Sequence, residues 1–348
     1  MDGEMSSART GMTRLGLLAV LAAGIVAASA MLLGRTRPVD AASKADTGIV
    51  DVSTTLGLEQ ASAAGTGIVL SGSGLVMTNN HVIRGATSIR VRVVTTGKSY
   101  TAKVLGYSVS GDIALLKLRN ASGLTTAPIG RSSTVHVGDH VTAVGNAGGV
   151  GGAPSVTTGH VTALHQAITV SDESGGQTQQ LQDLIQNTAS VQPGDSGGAI
   201  LNTSGRVIGV ITAASGGFRF QGGSGGFAIP VDNAVSITRQ VQAGRSSSTV
   251  HVGPTAFLGV LTRQAAGGSG DASGVLVAGV VSGTAASRAG IQEDDVITSF
   301  AGHSVTSPTG LAKLVLAIRP GTAVTLKWVD SFGNRHSVLV RPAAGPPQ

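Results

Sequence analysis

Cysteine is absent from this chain of 348 residues. No disulfide can staple the fold, no thiolate site can hold a metal, and the core has to hold by packing alone. Neither a metal nor a cofactor is expected. Aromatic residues are scarce, at 3%, and no run of lysine and arginine is interleaved with them. Base stacking and backbone tracking need both features. The net charge of +6 is therefore read as a property of the surface, and nucleic acid is excluded as a partner. Charged residues are also few, at 12%, against 41% hydrophobic residues. That balance buries a proper core rather than leaving the chain unfolded. The 52 glycines point to many turns and short strands, and the length suffices for two domains.

What is present begins with one long apolar run. Residues 15–33 (LGLLAVLAAGIVAASAMLL) carry no charge, with Arg9 and Arg14 before them and Arg35 and Arg37 after. A stretch of that length spans a bilayer as a helix. The expectation is a single-pass cell-membrane protein with residues 1–14 in the cytoplasm, an N-terminal transmembrane helix and a flexible stalk over 34–46. A cleaved secretory signal is the alternative, because Ala28-Ser29-Ala30 has the small-x-small form of a cleavage site. Met31, Leu32 and Leu33 continue the apolar run beyond it. Both readings place the remainder outside the cytoplasm, secreted if the segment is cleaved.

Residues 47–243 contain short Val/Ile/Thr-rich runs separated by Gly, Ser and Asn, the rhythm of an all-β sandwich or barrel. A closing helix is predicted over 231–241. Residues 244–253 read as a linker whose Gly244–Ser248 portion (GRSSS) is flexible, and 254–342 as a second unit with a helix over 309–319 that stops at Pro320-Gly321. The tail, 343–348, reads as disordered.

The chemistry concentrates in three segments. Gln192-Pro193-Gly194-Asp195-Ser196-Gly197-Gly198 surrounds a serine with glycines. A serine hydroxyl needs a base to become a nucleophile, and the glycines allow the N–H groups of Gly194 and Ser196 to converge as an oxyanion hole. His81 ends an apolar run (TNNHVI), and Asp112 opens another (GDIALLKL). Alone, each has a bland reading as a core histidine or a turn residue. Together they run His, Asp, Ser along the chain, the order of chymotrypsin-type enzymes rather than of subtilisins or α/β-hydrolases. The expectation is a catalytic triad of His81, Asp112 and Ser196. Histidines 136, 140, 160, 165, 251, 303 and 336 lack such company and read as surface or structural.

With those motifs, and with AGTGIVL, QPGDSGGAILNTSGRVIGVITAAS and GFAIPVDNA, the chain resembles the HtrA/Deg family of envelope proteases over nearly everything after residue 47. The resemblance implies an all-β, two-barrel chymotrypsin-like protease domain followed by a PDZ domain. It implies an endopeptidase acting on misfolded or unfolded envelope proteins, with protein and peptide substrates. Ser190, Val191, Thr212, Ala213 and Ala214 then flank the specificity pocket; none is charged, so cleavage after small or medium aliphatic residues is expected. Phe257, Leu258, Gly259 and Val260 resemble the carboxylate-binding loop of a PDZ domain, which takes C-terminal peptides. Three features depart from the family pattern. Asp195 stands where many relatives have asparagine and needs a partner if buried. The loop at 56–64 is short. No aromatic precedes Tyr100, so the aromatic interlock of trimeric relatives is missing and homo-oligomerisation is left open. A non-cleaving chaperone on the same fold and a membrane-bound peptide sensor are the competing function classes; the complete set of His, Asp and Ser speaks against both.

Overall fold

The computed structural model describes residues 46–58, 60–171, 178–212, 226–264 and 274–348. The expected membrane segment 15–33 and most of the stalk lie outside them. No helix among the described residues is long and apolar enough to cross a membrane.

Six strands form the first barrel: β1 (Ile49–Leu56), β2 (Ala61–Ser71), β3 (Leu75–Thr78), β4 (Ser88–Val93), β5 (Ser99–Ser108) and β6 (Ile113–Leu118). They pair in the order β5-β4-β1-β2-β3-β6, and pairing of β5 with β6 closes the ring. In β4, Ser88, Arg90 and Arg92 face solvent while Ile89, Val91 and Val93 are buried, the period-two pattern of a strand with one wet face. A one-turn helix, α1 (Asn80–Ile83), follows β3.

The second barrel is closed by β7 (His140–Gly145), β8 (Ser155–Ser171), β9 (Thr178–Asn187), β10 (Ala199–Leu201), β11 (Val207–Ile211) and β12 (Gly226–Pro230). Ile49, Ile68 and Met77 of the first barrel share one apolar cluster with Val144, Leu184, Val210 and Ile229 of the second. The barrels are thus fused by burial, which fixes the cleft between them. Helix α2 (Val231–Gln242) buries Val231, Ala234, Thr238 and Val241, a single stripe at helical spacing.

The chain after α2 departs from the expected free linker. Val250 is buried with Leu115 and Val241, and β13 (His251–Val252) pairs with Tyr107 and Gly106 of β5. An apolar residue and a free sheet edge anchor what composition alone makes look flexible.

The second unit comprises β14 (Thr255–Phe257), β15 (Val260–Gln264), β16 (Val275–Val280), α3 (Ala285–Ala289), β17 (Val296–Phe300), β18 (His303–Ser304), α4 (Pro308–Leu316), β19 (Val324–Val329), β20 (Arg335–Val340) and β21 (Ala343–Gly345). The sheet runs β15-β16-β17-β19-β20, leaving β15 on an edge. Phe300, Leu311, Leu326 and Trp328 centre its core. Helix α4 starts where Ser307 accepts from the Gly310 N–H, with Pro308 in the first turn. The tail expected to be disordered is ordered: β21 pairs with β14. Beyond it, the Gly85 N–H donates to the Pro347 carbonyl (2.9 Å) and Asn80 Nδ2 to a main-chain oxygen of Gln348 (3.0 Å). Backbone partners override the proline-rich composition.

Candidate active site

Asp112 sits at the entrance of β6 with φ of +47°, a conformation that aspartate tolerates better than most residues. It is 3% exposed, yet its carboxylate is surrounded by donors. Oδ1 accepts from the His81 backbone N–H at 3.0 Å, Oδ2 lies 2.8 Å from His81 Nδ1, and Thr212 Oγ1 donates to Oδ2 at 2.9 Å. Asn79 Nδ2 holds the Asp112 carbonyl at 2.8 Å. These bonds fix the imidazole tautomer. Nδ1 carries the proton toward Asp112, which leaves Nε2 as the nitrogen able to accept another.

The segment around Ser196 is a tight turn in which Asp195 N–H bonds the Gln192 carbonyl and Gly198 N–H bonds the Asp195 carbonyl. Gly194 has φ of +97°, and a Cβ there would lie 2.2 Å from the Asn146 carbonyl oxygen; at Gly197 (φ +85°) it would lie 2.1 Å from that of Thr66. Neither position admits a side chain. Thr66 ties the turn to the first barrel. Its N–H donates to the Ser196 carbonyl (2.7 Å), and its Oγ1 to the Gly194 carbonyl (2.8 Å). The Pro193 carbonyl accepts from Gly148 N–H (2.7 Å). In a trans peptide the adjoining Gly194 N–H points the opposite way, so this bond decides which direction that donor faces. Asp195 is 3% exposed; it accepts from Ser155 Oγ (2.6 Å) and Gln192 N–H (2.9 Å). Burial pushes its carboxyl above the ordinary range, against the pull of those two bonds.

The expected pocket residues divide. Val191 faces Gly226, where a Cβ would lie 2.6 Å from Val191 Cγ2. The exposed Ser190 accepts through its carbonyl from Thr157 Oγ1. Thr212 is spatially adjacent, but its hydroxyl is turned to Asp112 rather than into a pocket, because a buried carboxylate is the stronger acceptor. Ala213 and Ala214 lie outside the described residues.

Comparison with known proteins agrees with the two-barrel and second-unit architecture. Residues 65–210 match the family described as trypsin-like peptidase domain, and 256–329 match PDZ domain. The chain is 34% identical to serine protease PepD of Mycobacterium tuberculosis over 95% of its own length and 78% of that protein's. It is 35% identical to the periplasmic pH-dependent serine endoprotease DegQ of Escherichia coli, over 75% of its own length and 55% of DegQ. The chain belongs to the HtrA family of trypsin-like serine proteases. It spans most of PepD, but only about half of DegQ.

In this HtrA-type protease the PDZ loop is held from behind. The carbonyls of Leu258 and Gly259 accept from Ala286 and Val281 N–H groups at 3.0 and 2.9 Å. At Gly259 (φ +87°) a Cβ would collide with Thr284. Leu258 is buried, whereas Leu261 on the edge strand β15 is 62% exposed. Sequence reasoning missed Asn79, Gly226, Ser155 and the hydroxyl of Thr212. Asn79 and the glycine had local signals, in the TNNHVI and GFAIP motifs.

Proposed function

We propose that this protease is an extracytoplasmic endopeptidase for unfolded envelope proteins, with Ser196 as nucleophile, His81 as general base and Asp112 as the group that orients His81. The observation that carries the reading is the carboxylate of Asp112, bonded to both the backbone and the ring of His81. His81 Nε2 removes the Ser196 hydroxyl proton as Oγ attacks the scissile carbonyl. The N–H groups of Gly194 and Ser196 hold the resulting oxyanion, each such donor worth about 3–4 kcal/mol in the transition state. His81 returns the proton to the leaving amine, and water then repeats the cycle on the acyl-enzyme. Val191 opposite Gly226 supports an uncharged pocket, hence cleavage after Val, Ala or Ile. Selectivity is modest, since one methylene is worth about 1–3 kcal/mol.

The edge strand β15, with the loop at residues 257–260, supports capture of an extended C-terminus by the PDZ domain. Residues 15–33 support export with a membrane anchor, and the relatives named periplasmic support the same side of the membrane. A fluorophosphonate probe tests the catalytic reading on the full chain. Labelling confined to Ser196, together with casein cuts after aliphatic residues, is expected. An unlabelled, non-cleaving protein turns the assignment toward a chaperone; cuts concentrated after Lys or Arg reject the pocket.

A further inference from the structure

We propose that Ser155 is a positioning residue for the 192–196 turn, its hydroxyl bonded to the buried carboxyl of Asp195. The inference rests on the reading of Gly194 and Ser196 as the oxyanion donors. Asp195 lies between them in sequence, so any displacement of its side chain is passed to both N–H groups. Room for that side chain is made by Gly145, where a Cβ would lie 2.5 Å from Asp195 Oδ1.

No charged partner is at hand among the described residues. The elements packed around Asp195 are β7, β8, residues 146–152 and the turn itself. Apart from Asp195, their titratable groups are His140, His160 and His165. His140 pairs with His160 in the register that pairs Gly145 with Ser155, five residues and about 17 Å along the strands. His165 bonds Asp183. Across the cleft, His81 and Asp112 bond each other. A buried carboxyl without a cation favours its neutral form, in line with the upward shift.

Ser155 has one proton and two acceptors within reach, the Gly145 carbonyl at 3.1 Å and Asp195 Oδ1 at 2.6 Å. When Asp195 is neutral, its own O–H donates to Ser155 Oγ and the serine proton goes to Gly145. Every member of that chain is satisfied. When Asp195 ionises, the serine proton turns to the carboxylate and the Gly145 carbonyl loses this donor. The direction of one hydroxyl thus follows the protonation of the residue beside the nucleophile. An asparagine at 195 copies the neutral arrangement, with Nδ2 donating to Ser155 and Oδ1 accepting from Gln192.

The test uses the full chain, a chromogenic peptide and denaturant titrations across pH. Ser155→Ala should lower kcat about ten- to hundredfold while KM changes little, the loss expected for one hydrogen bond to a charged or strongly polar group. Ser155→Thr, which keeps the hydroxyl, should restore kcat. Because the folded-state pKa of Asp195 is raised, its stabilising contribution is complete below the ordinary carboxylate range and is lost as pH rises through the raised value. Asp51, raised by burial as well, adds a fall that wild type and Asp195→Asn share. The difference between those two proteins therefore reads Asp195 alone, and the asparagine variant should show the shallower fall. An unaltered kcat in Ser155→Ala, or parallel pH curves for wild type and Asp195→Asn, overturns the proposal. Should Ser155→Ala not fold, the pH curves and Ser155→Thr decide. Ser196→Ala separates the two levels: turnover surviving there removes the catalytic reading itself. Turnover lost there, with Ser155→Ala unaltered, removes only the role of Ser155.

Discussion

Asp112 shows how much of the site is decided by single atoms. Its φ of +47° and its burial are both unfavourable in isolation, yet four donors act on it, from Asn79, from Thr212, and from the backbone and ring of His81. Thr212→Val keeps the shape and removes one donor. A hydrogen bond to a charged group is worth about 1.5–3 kcal/mol, so kcat should fall at least about tenfold with KM nearly constant; steady-state kinetics on a short peptide reads this. Ser196→Ala and His81→Ala act on one unit. Each alone should cost several orders of magnitude in casein turnover, and the double variant little more. Losses that add would show that the two side chains work independently. Ser196, His81 and Asp112 were legible as candidates because glycine-flanked serine, strand-end histidine and strand-opening aspartate are local patterns. Thr212 was legible only as a neighbour of the site, since nothing in ITAAS says which way its hydroxyl turns.

Among the elements, β13 is the one that composition disguised. GRSSS reads as a flexible linker, and the three residues that anchor the chain after it, Val250, His251 and Val252, carry no turn or helix signal. They are held because β5 has a free edge there and because Gly106 leaves room: a Cβ at that position would lie 2.4 Å from the His251 carbonyl oxygen. Gly106→Ala should therefore push β13 off the barrel. Overpacking of this kind costs about 1–3 kcal/mol, and trypsin should then cut faster after the exposed Arg245. Unchanged digestion would mean that the pairing contributes nothing to holding the segment. The barrel strands, by contrast, were legible as short Val/Ile/Thr-rich runs, and β4 shows the alternating burial of a strand with one wet face.

At the scale of the whole molecule, the PDZ domain and the first barrel meet through buried and part-buried polar contacts. Tyr107 Oη lies 3.0 Å from Thr255 Oγ1 and accepts from the Gln348 N–H at 3.2 Å. Burial pushes the Tyr107 hydroxyl pKa up. Asn80, next to His81 on α1, donates to Gln348. Removal of residues 254–348 strips that acceptor from the helix that carries His81. Turnover of a small chromogenic peptide should then fall, although such a peptide never touches the PDZ domain. If only casein turnover falls, the domain acts as a tether for long substrates. Amidating a C-terminal peptide ligand should weaken its binding to the intact chain about ten- to hundredfold, read by calorimetry, because the loop N–H groups lose a charge to hold.

The sequence by itself determined the all-β class and the candidate site residues. Short Val/Ile/Thr-rich runs, a serine flanked by glycines and the order His, Asp, Ser are written in short windows. Tertiary structure alone decided which hydroxyl meets which carboxylate. Thr212 reaches Asp112 across 100 residues of sequence, and Ser155 reaches Asp195 across 40. Closure of the two barrels and burial of the cluster between them bring those side chains within hydrogen-bonding distance. A buried carboxylate takes whatever donor that packing supplies, and no local pattern encodes which one it is.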